Sequence, residues 1–220
     1  VTNYSVYTEQ VVFGNDTLPV YNYVYPEHLA NAHIGTPATI ECLQLYDSLF
    51  GIYAFEKEKY GQTEFGWGGG MEHQTMTFVT DFGFELLAHE LAHHWFGDKV
   101  TCASWSDIWL NESFASIMEY IALDAVHPEW KMWEHYTSSD VLATTSRDIY
   151  KDIQPVGVKV TDPDLIETLF DPGIVYAKGG RLIKMLREFI GEAAFKQGLR
   201  EYFEQYMYGN ATRNNLWECL

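Results

Sequence analysis

The run His89-Glu90-Leu91-Ala92-His93 constrains this chain more than any other segment. Its surroundings, Phe84, Leu86, Leu87, Ala88, Leu91, Ala92, Trp95 and Phe96, are apolar at almost every position, and a helix that is apolar all round is buried. The pattern predicts such a helix over residues 84–96, and it carries two imidazoles and a carboxylate into the interior. An unpaired polar group there costs roughly 1–3 kcal/mol and an unpaired charge more, so all three need partners. A separation of four residues stacks His89 and His93 on one helical face. Glu90 lies about 60° round the helix from His93, close to whatever the two imidazoles hold but not in line with them. One metal ion would satisfy the group. The same residues can also occur by chance on an exposed helix, and the apolar flanks argue against that.

A third ligand is available in Asn111-Glu112, at the start of the next helical pattern. Asp107 or Asn111 supplies a start signal, and Phe114, Ile117, Met118, Ile121 and Ala122 follow the three-and-four spacing of an amphipathic helix. Glu112, Ala115, Ser116 and Glu119 fall on the other face, where small residues let another backbone approach. Glu119 has two readings: it accepts a hydrogen bond from a ligating imidazole, or it is a solvated charge. Two His and one Glu leave a fourth zinc position open, as in catalytic rather than structural sites. Cys42, Cys102 and Cys219 lie far apart, show no paired metal-binding spacing, and read as core or free thiols.

Four segments together give the chain a family resemblance. Eighteen residues separate His93 from Glu112, and with Gly69-Gly70-Met71-Glu72, Trp109-Leu110-Asn111-Glu112 and Val175-Tyr176-Ala177-Lys178-Gly179, in that order, the sequence resembles the M1 zinc aminopeptidases, a gluzincin family. The resemblance covers residues from about 20 to 220. It implies one Zn2+ ion bound by His89, His93 and Glu112, with Glu90 as general base and Tyr176 donating a hydrogen bond to the tetrahedral intermediate. Glu72, with Gly69, Gly70, Met71 and His73 around it, would receive the free α-amino group of a peptide. His73 stands where the family motif usually has Asn, and imidazole can still donate or accept a hydrogen bond there. The family also implies a thermolysin-like catalytic domain over residues 1–220, excised from a longer chain. A β domain would precede it, linked through roughly the first 20 residues, and a helical domain would follow.

Without that match, Tyr176 is one of 15 tyrosines and the glycine run is a flexible turn. The alternation Gln74-Thr75-Met76-Thr77-Phe78-Val79 predicts that the glycine run continues into a strand over 74–80. An edge strand there could pair with a substrate backbone. Two further functions stay open from the residues alone: a thermolysin-type endopeptidase, and a zinc-binding scaffold without activity.

The net charge of −17, from 31 acidic against 14 basic residues, argues against nucleic acid or anionic membrane as partner. An acidic surface also serves solubility. No apolar run approaches the roughly 18 residues of a membrane span, and the opening Val1-Thr2-Asn3-Tyr4 does not look like a signal peptide. Along the chain, residues 4–25 alternate as strands, Pro37 to Phe50 reads as a helix and Ile52 to Tyr60 as another strand. Helices are predicted over 84–96, 111–124, from Pro128, and over 178–190 and 192–206, with Gly97 and Gly191 as stops. A looser stretch over 151–175, marked by Pro155, Pro163 and Pro172, leads to Tyr176. A β-rich first half and a helical second half make an α+β domain, with the metal at their junction.

Overall fold

The computed structural model describes residues 3–14, 16–150 and 153–220. Strands β1 (Ser5–Phe13) and β2 (Asp16–Val24) form an antiparallel hairpin, and helix α1 (Leu29–Phe50) runs beneath it. Strands β3 (Tyr60–Glu64), β4 (Gly70–Met71) and β5 (Thr77–Val79) complete a mixed sheet in the order β1-β2-β3-β5-β4, so that β4 is an edge. Helix α2 (Phe84–Ala92), strand β6 (Val100–Cys102) and helix α3 (Trp109–Val126) follow. Four helices come next, α4 (Met132–Tyr136), α5 (Leu142–Tyr150), α6 (Ala177–Ile190) and α7 (Glu192–Tyr206), then β7 (Gly209–Ala211), which pairs in parallel with β6, and α8 (Arg213–Cys219). The α+β class is as expected, with the sheet in the first half and helices in the second. No helix among the described residues is long and apolar enough to cross a membrane.

The alternating pattern of β2 buries Leu18, Val20 and Val24 against α1, while Asn22, also buried, donates to Glu9 at 2.9 Å. One face of α1 puts Cys42, Leu43, Tyr46 and Phe50 into the main core, where Trp95, Phe96 and Phe114 meet them. Tyr46 is fully buried, and its hydroxyl lies 3.2 Å from the Ala88 carbonyl and 3.1 Å from that of Met118. A single phenol thereby ties α1 to both α2 and α3.

Four expectations need correcting. The first long helix starts at Leu29, not Pro37, and Pro37 lies inside it. Pro26 opens the turn that leads in, and burial of the helix outweighs the roughly 3 kcal/mol an interior proline costs. Residues between Gly51 and Lys59 form turns rather than a strand. Tyr53 and Phe55 are buried there, with Tyr53 N donating to Asp47 at 2.9 Å, so the apolar alternation came from a folded loop. The strand expected over 74–80 is confined to Thr77–Val79, because Thr75 has φ 62° and Met76 N closes a turn onto His73 O at 2.9 Å. The stretch before Tyr176 is also more ordered than expected, with 3-10 turns over Pro163–Phe170 and a π turn over Pro172–Tyr176.

Candidate active site

Helix α2 ends at Ala92, short of residue 96, and the chain tightens through His94 N to Leu91 O and Trp95 N to Ala92 O, at 3.1 and 3.0 Å. That tightening leaves the Phe96 carbonyl facing back, where it meets His93 Nδ1 at 3.1 Å. On the other imidazole, Nδ1 of His89 meets Glu119 Oε2 at 3.0 Å. Each ring is therefore held from behind, and both present Nε2 to one point, 3.2 Å apart. Glu112 arrives there from the first turn of α3, its Oε2 3.6 Å from His89 Nε2 and 3.3 Å from His93 Nε2. Ligand atoms of His89, His93 and Glu112 all fall within 4.8 Å of one another. Two nitrogens and a carboxylate so disposed would suit a zinc ion, and the donor set is that of catalytic rather than structural sites.

Glu90 is 5% exposed, and its Oε2 is buried without a hydrogen-bond partner in the protein. Above it passes β4. A Cβ at Gly70 would lie 2.3 Å from Glu90 Oε1, so the edge strand and the carboxylate are in contact only because residue 70 has no side chain. Glu72, just after that strand, forms a second close group with Glu90 and His93. Two carboxylates beside an imidazole suit a cation.

Burial raises Glu90 to about 7, although His93 and His89 oppose the shift. Burial would likewise raise Glu112, but the two imidazoles beside it reverse the sign and hold it below the usual carboxylate range. Glu119 is pushed up to about 7 by burial, against the pull of His89. His94, beside His93 but outside the group it forms with His89 and Glu112, is turned away between Tyr53 and Thr77, at 3.2 and 3.3 Å, and burial pushes it down to about 3.

Tyr176 stands on the far side, its ring centroid 6.0 Å from that of His89. Burial, then the carboxylates of Glu112, Glu72 and Glu90, raise its phenol well above the ordinary value, so it stays a donor. These groups line a cleft of about 1000 Å³ that also takes in Gly69, Gly70, Met71, Trp105 and Phe170. His73 does not line it. That residue is exposed, and its ring packs edge-on against Phe78 with centroids 4.9 Å apart.

Residues 37–220 match the peptidase family M1 domain. The chain belongs to peptidase family M1. Over 135 residues it is 52% identical to aminopeptidase N of Lactococcus lactis subsp. cremoris (strain MG1363), covering 61% of this chain and 16% of that protein. It is 34% identical over 194 residues to tricorn protease-interacting factor F2 of Thermoplasma volcanium, or 81% of this chain and 25% of the relative. A third M1 relative, probable aminopeptidase 2 of Sulfurisphaera tokodaii, is 32% identical over 212 residues, or 89% of this chain and 27% of that protein. The chain thus spans 16–27% of the length of these relatives.

Within this M1 domain two parts of the site had no signal in the sequence. The Phe96 carbonyl behind His93 is backbone, which any residue would supply. Trp105 and Phe170, which wall the cleft, sit in the 3-10 segments Trp105–Asp107 and Pro163–Phe170, outside the helices and strands the pattern predicts.

Proposed function

We propose that this domain is the catalytic part of a zinc-dependent aminopeptidase, which removes residues from the free amino terminus of peptides. One observation carries the reading: His89, His93 and Glu112 converge on a point with both imidazoles held from behind, beside a buried Glu90 oxygen that has no partner. A bound zinc ion would supply a Lewis acid that brings the pKa of a water toward about 7. Glu90, raised to about 7 by burial, is matched to take that proton and pass it to the leaving amine. Tyr176 donates to the oxyanion as charge develops, an interaction worth most in the transition state. Glu72 binds the α-ammonium group and so counts the substrate from its first residue. Gly69, Gly70 and Met71 offer an edge backbone for the peptide to lie along. Residues 1–220 are the catalytic unit of a longer chain, preceded by a β domain and followed by a helical one.

The test uses the full-length protein. A Glu90→Gln variant should keep its zinc and lose hydrolysis of amino-acid amides by about 10²–10⁴-fold. Acetylating the substrate amino terminus should abolish cleavage by the unaltered enzyme. Internal cleavage of blocked peptides would favour the endopeptidase alternative, and zinc binding without turnover would favour the scaffold.

A further inference from the structure

Helix α3 carries Glu112, and one residue later it carries Ser113, turned about 100° round the axis toward α6. Ser113 is fully buried, and its Oγ donates to the carbonyl of Val175 at 2.5 Å. Val175 immediately precedes Tyr176. A serine inside a helix commonly bonds the carbonyl four residues back, and Ser116 does so with Glu112 O at 2.8 Å. Ser113 instead reaches across to a different element.

The packing around it is cut to admit the hydroxyl. A Cβ at Gly179 would lie 1.9 Å from Ser113 Oγ and 2.6 Å from its Cβ, so α6 approaches α3 at this point only because residue 179 has no side chain. The segment being held is a π turn, Pro172–Tyr176, which hands over to the α-helical register of α6 at Ala177. A π turn is wider than an α turn, so the direction of the next side chains depends on where its carbonyls are fixed. At its start the Asp171 carboxylate accepts from Gly173 N at 2.9 Å. At its end the fixed point is Val175 O.

We propose that Ser113 is a positioning residue for Tyr176: by holding the Val175 carbonyl, it sets the phenol against the site that Glu112, its own neighbour on α3, helps to build. The aiming of Tyr176 and the placing of Glu112 then belong to one rigid helix turn. The inference rests on the role proposed for Tyr176, and the experiment separates the two.

In the full-length protein, Ser113→Ala, Tyr176→Phe and the double variant are assayed for kcat and KM on an aminoacyl anilide. Zinc content and melting temperature are measured alongside. Misaiming a transition-state donor costs about tenfold in kcat, with KM within about twofold and zinc content unchanged. Ser113→Ala should also weaken binding of a phosphinic transition-state mimic about tenfold while leaving a substrate-like amide unaffected. In the Tyr176→Phe background the serine change should have no further effect on kcat, a cancellation that a packing role would not produce. Should Tyr176→Phe retain full kcat, the tyrosine reading falls and this inference with it. If Tyr176→Phe is impaired but Ser113→Ala leaves kcat unaltered, or the two losses multiply, the inference is overturned and the tyrosine reading stands. If the alanine variant does not fold, Ser113→Gly releases the same carbonyl and goes through the same cycle with the same criteria.

Discussion

Replacing Gly70 by alanine tests whether the edge strand and Glu90 form one steric unit. The added Cβ would stand 2.3 Å from Glu90 Oε1, 2.5 Å from Cδ and 2.7 Å from Cγ, where ordinary contact begins at 3.4 Å. Either the carboxylate withdraws by about 1 Å or β4 lifts by as much, against its pairing of Gly70 with Val79. Glu90 has little room to yield, since it is 5% exposed although it lines the cleft. A base displaced by about 1 Å loses on the order of 100-fold in rate, equivalent to about 2.7 kcal/mol in the barrier. Overpacking adds about 1–3 kcal/mol of destabilisation. Gly69 is the control: it has φ +79° and nothing within 4 Å of an added Cβ, so alanine there strains the backbone by roughly 1–2 kcal/mol without touching Glu90. Both variants should therefore melt lower than the parent. Only Gly70→Ala should lose about 100-fold in kcat/KM on an amino-acid anilide with its zinc retained. The reasoning fails if Gly70→Ala stays within about threefold of the parent, or if Gly69→Ala loses as much.

Removing the carboxylate behind His89, as Glu119→Ala, should weaken zinc binding about 10–100-fold in competition with a chelator; an unchanged affinity would reduce Glu119 to a bystander. Proton release on zinc binding checks the electrostatics. Burial by itself lowers His89, but Glu112 and Glu119 more than reverse this, to about 9, and carboxylates likewise raise His93 against its burial. Both Nδ1 atoms face oxygen acceptors, so each neutral ring keeps its proton there, and the raised basicity gives the pair one further proton at pH 7 before metal enters. Zinc needs neutral imidazoles; its affinity should rise about tenfold per pH unit from 6 toward 9, with about one proton released at pH 7. Calorimetric titration in buffers of different ionisation enthalpy reads that proton, and heats independent of buffer would contradict the assignment.

What could be read from the sequence was what depends on local spacing. His89 and His93 meet because residues four apart on a helix must, and Glu119 lies over the same face as Glu112 because seven residues make about two turns. The apolar flanks of residues 84–96 announced a buried helix, which ends four residues earlier at Ala92, and the run from Phe114 to Ala122 located α3 to within two residues of its start. Where prediction failed, a distant contact had overruled a local cue. Pro37 looked like a helix start because nothing nearby reveals how much of α1 the core absorbs. Tyr53 and Phe55 imitated a strand while folding onto α1 and His94. Gly70 could be understood from sequence as a residue that lets backbone approach a ligand; its contact with a side chain 20 positions away on another element has no local signature.

The same division separates what binds from what aims. The proposed ligand residues recur at spacings a helix dictates, but each is held in direction by a group whose identity is nearly free or whose partner is remote. His93 is oriented by a peptide carbonyl at Phe96. The carbonyl before Tyr176 is held by a hydroxyl 62 positions earlier in the chain. Tyr46, on a helix that contributes nothing to the cleft, bonds the carbonyls of Ala88 and Met118, and these residues directly precede His89 and Glu119. The pair that must stay 3.0 Å apart is therefore clamped from below by one phenol. On the proposed function, loosening any of these supports would leave every motif residue in the sequence and degrade the geometry the proposed roles need, since catalytic groups misplaced by about 1 Å lose most of their effect. On that proposal motif and activity are separable in this fold: the first is written in α2 and α3, and the second would depend also on α1, α6 and the edge of the sheet.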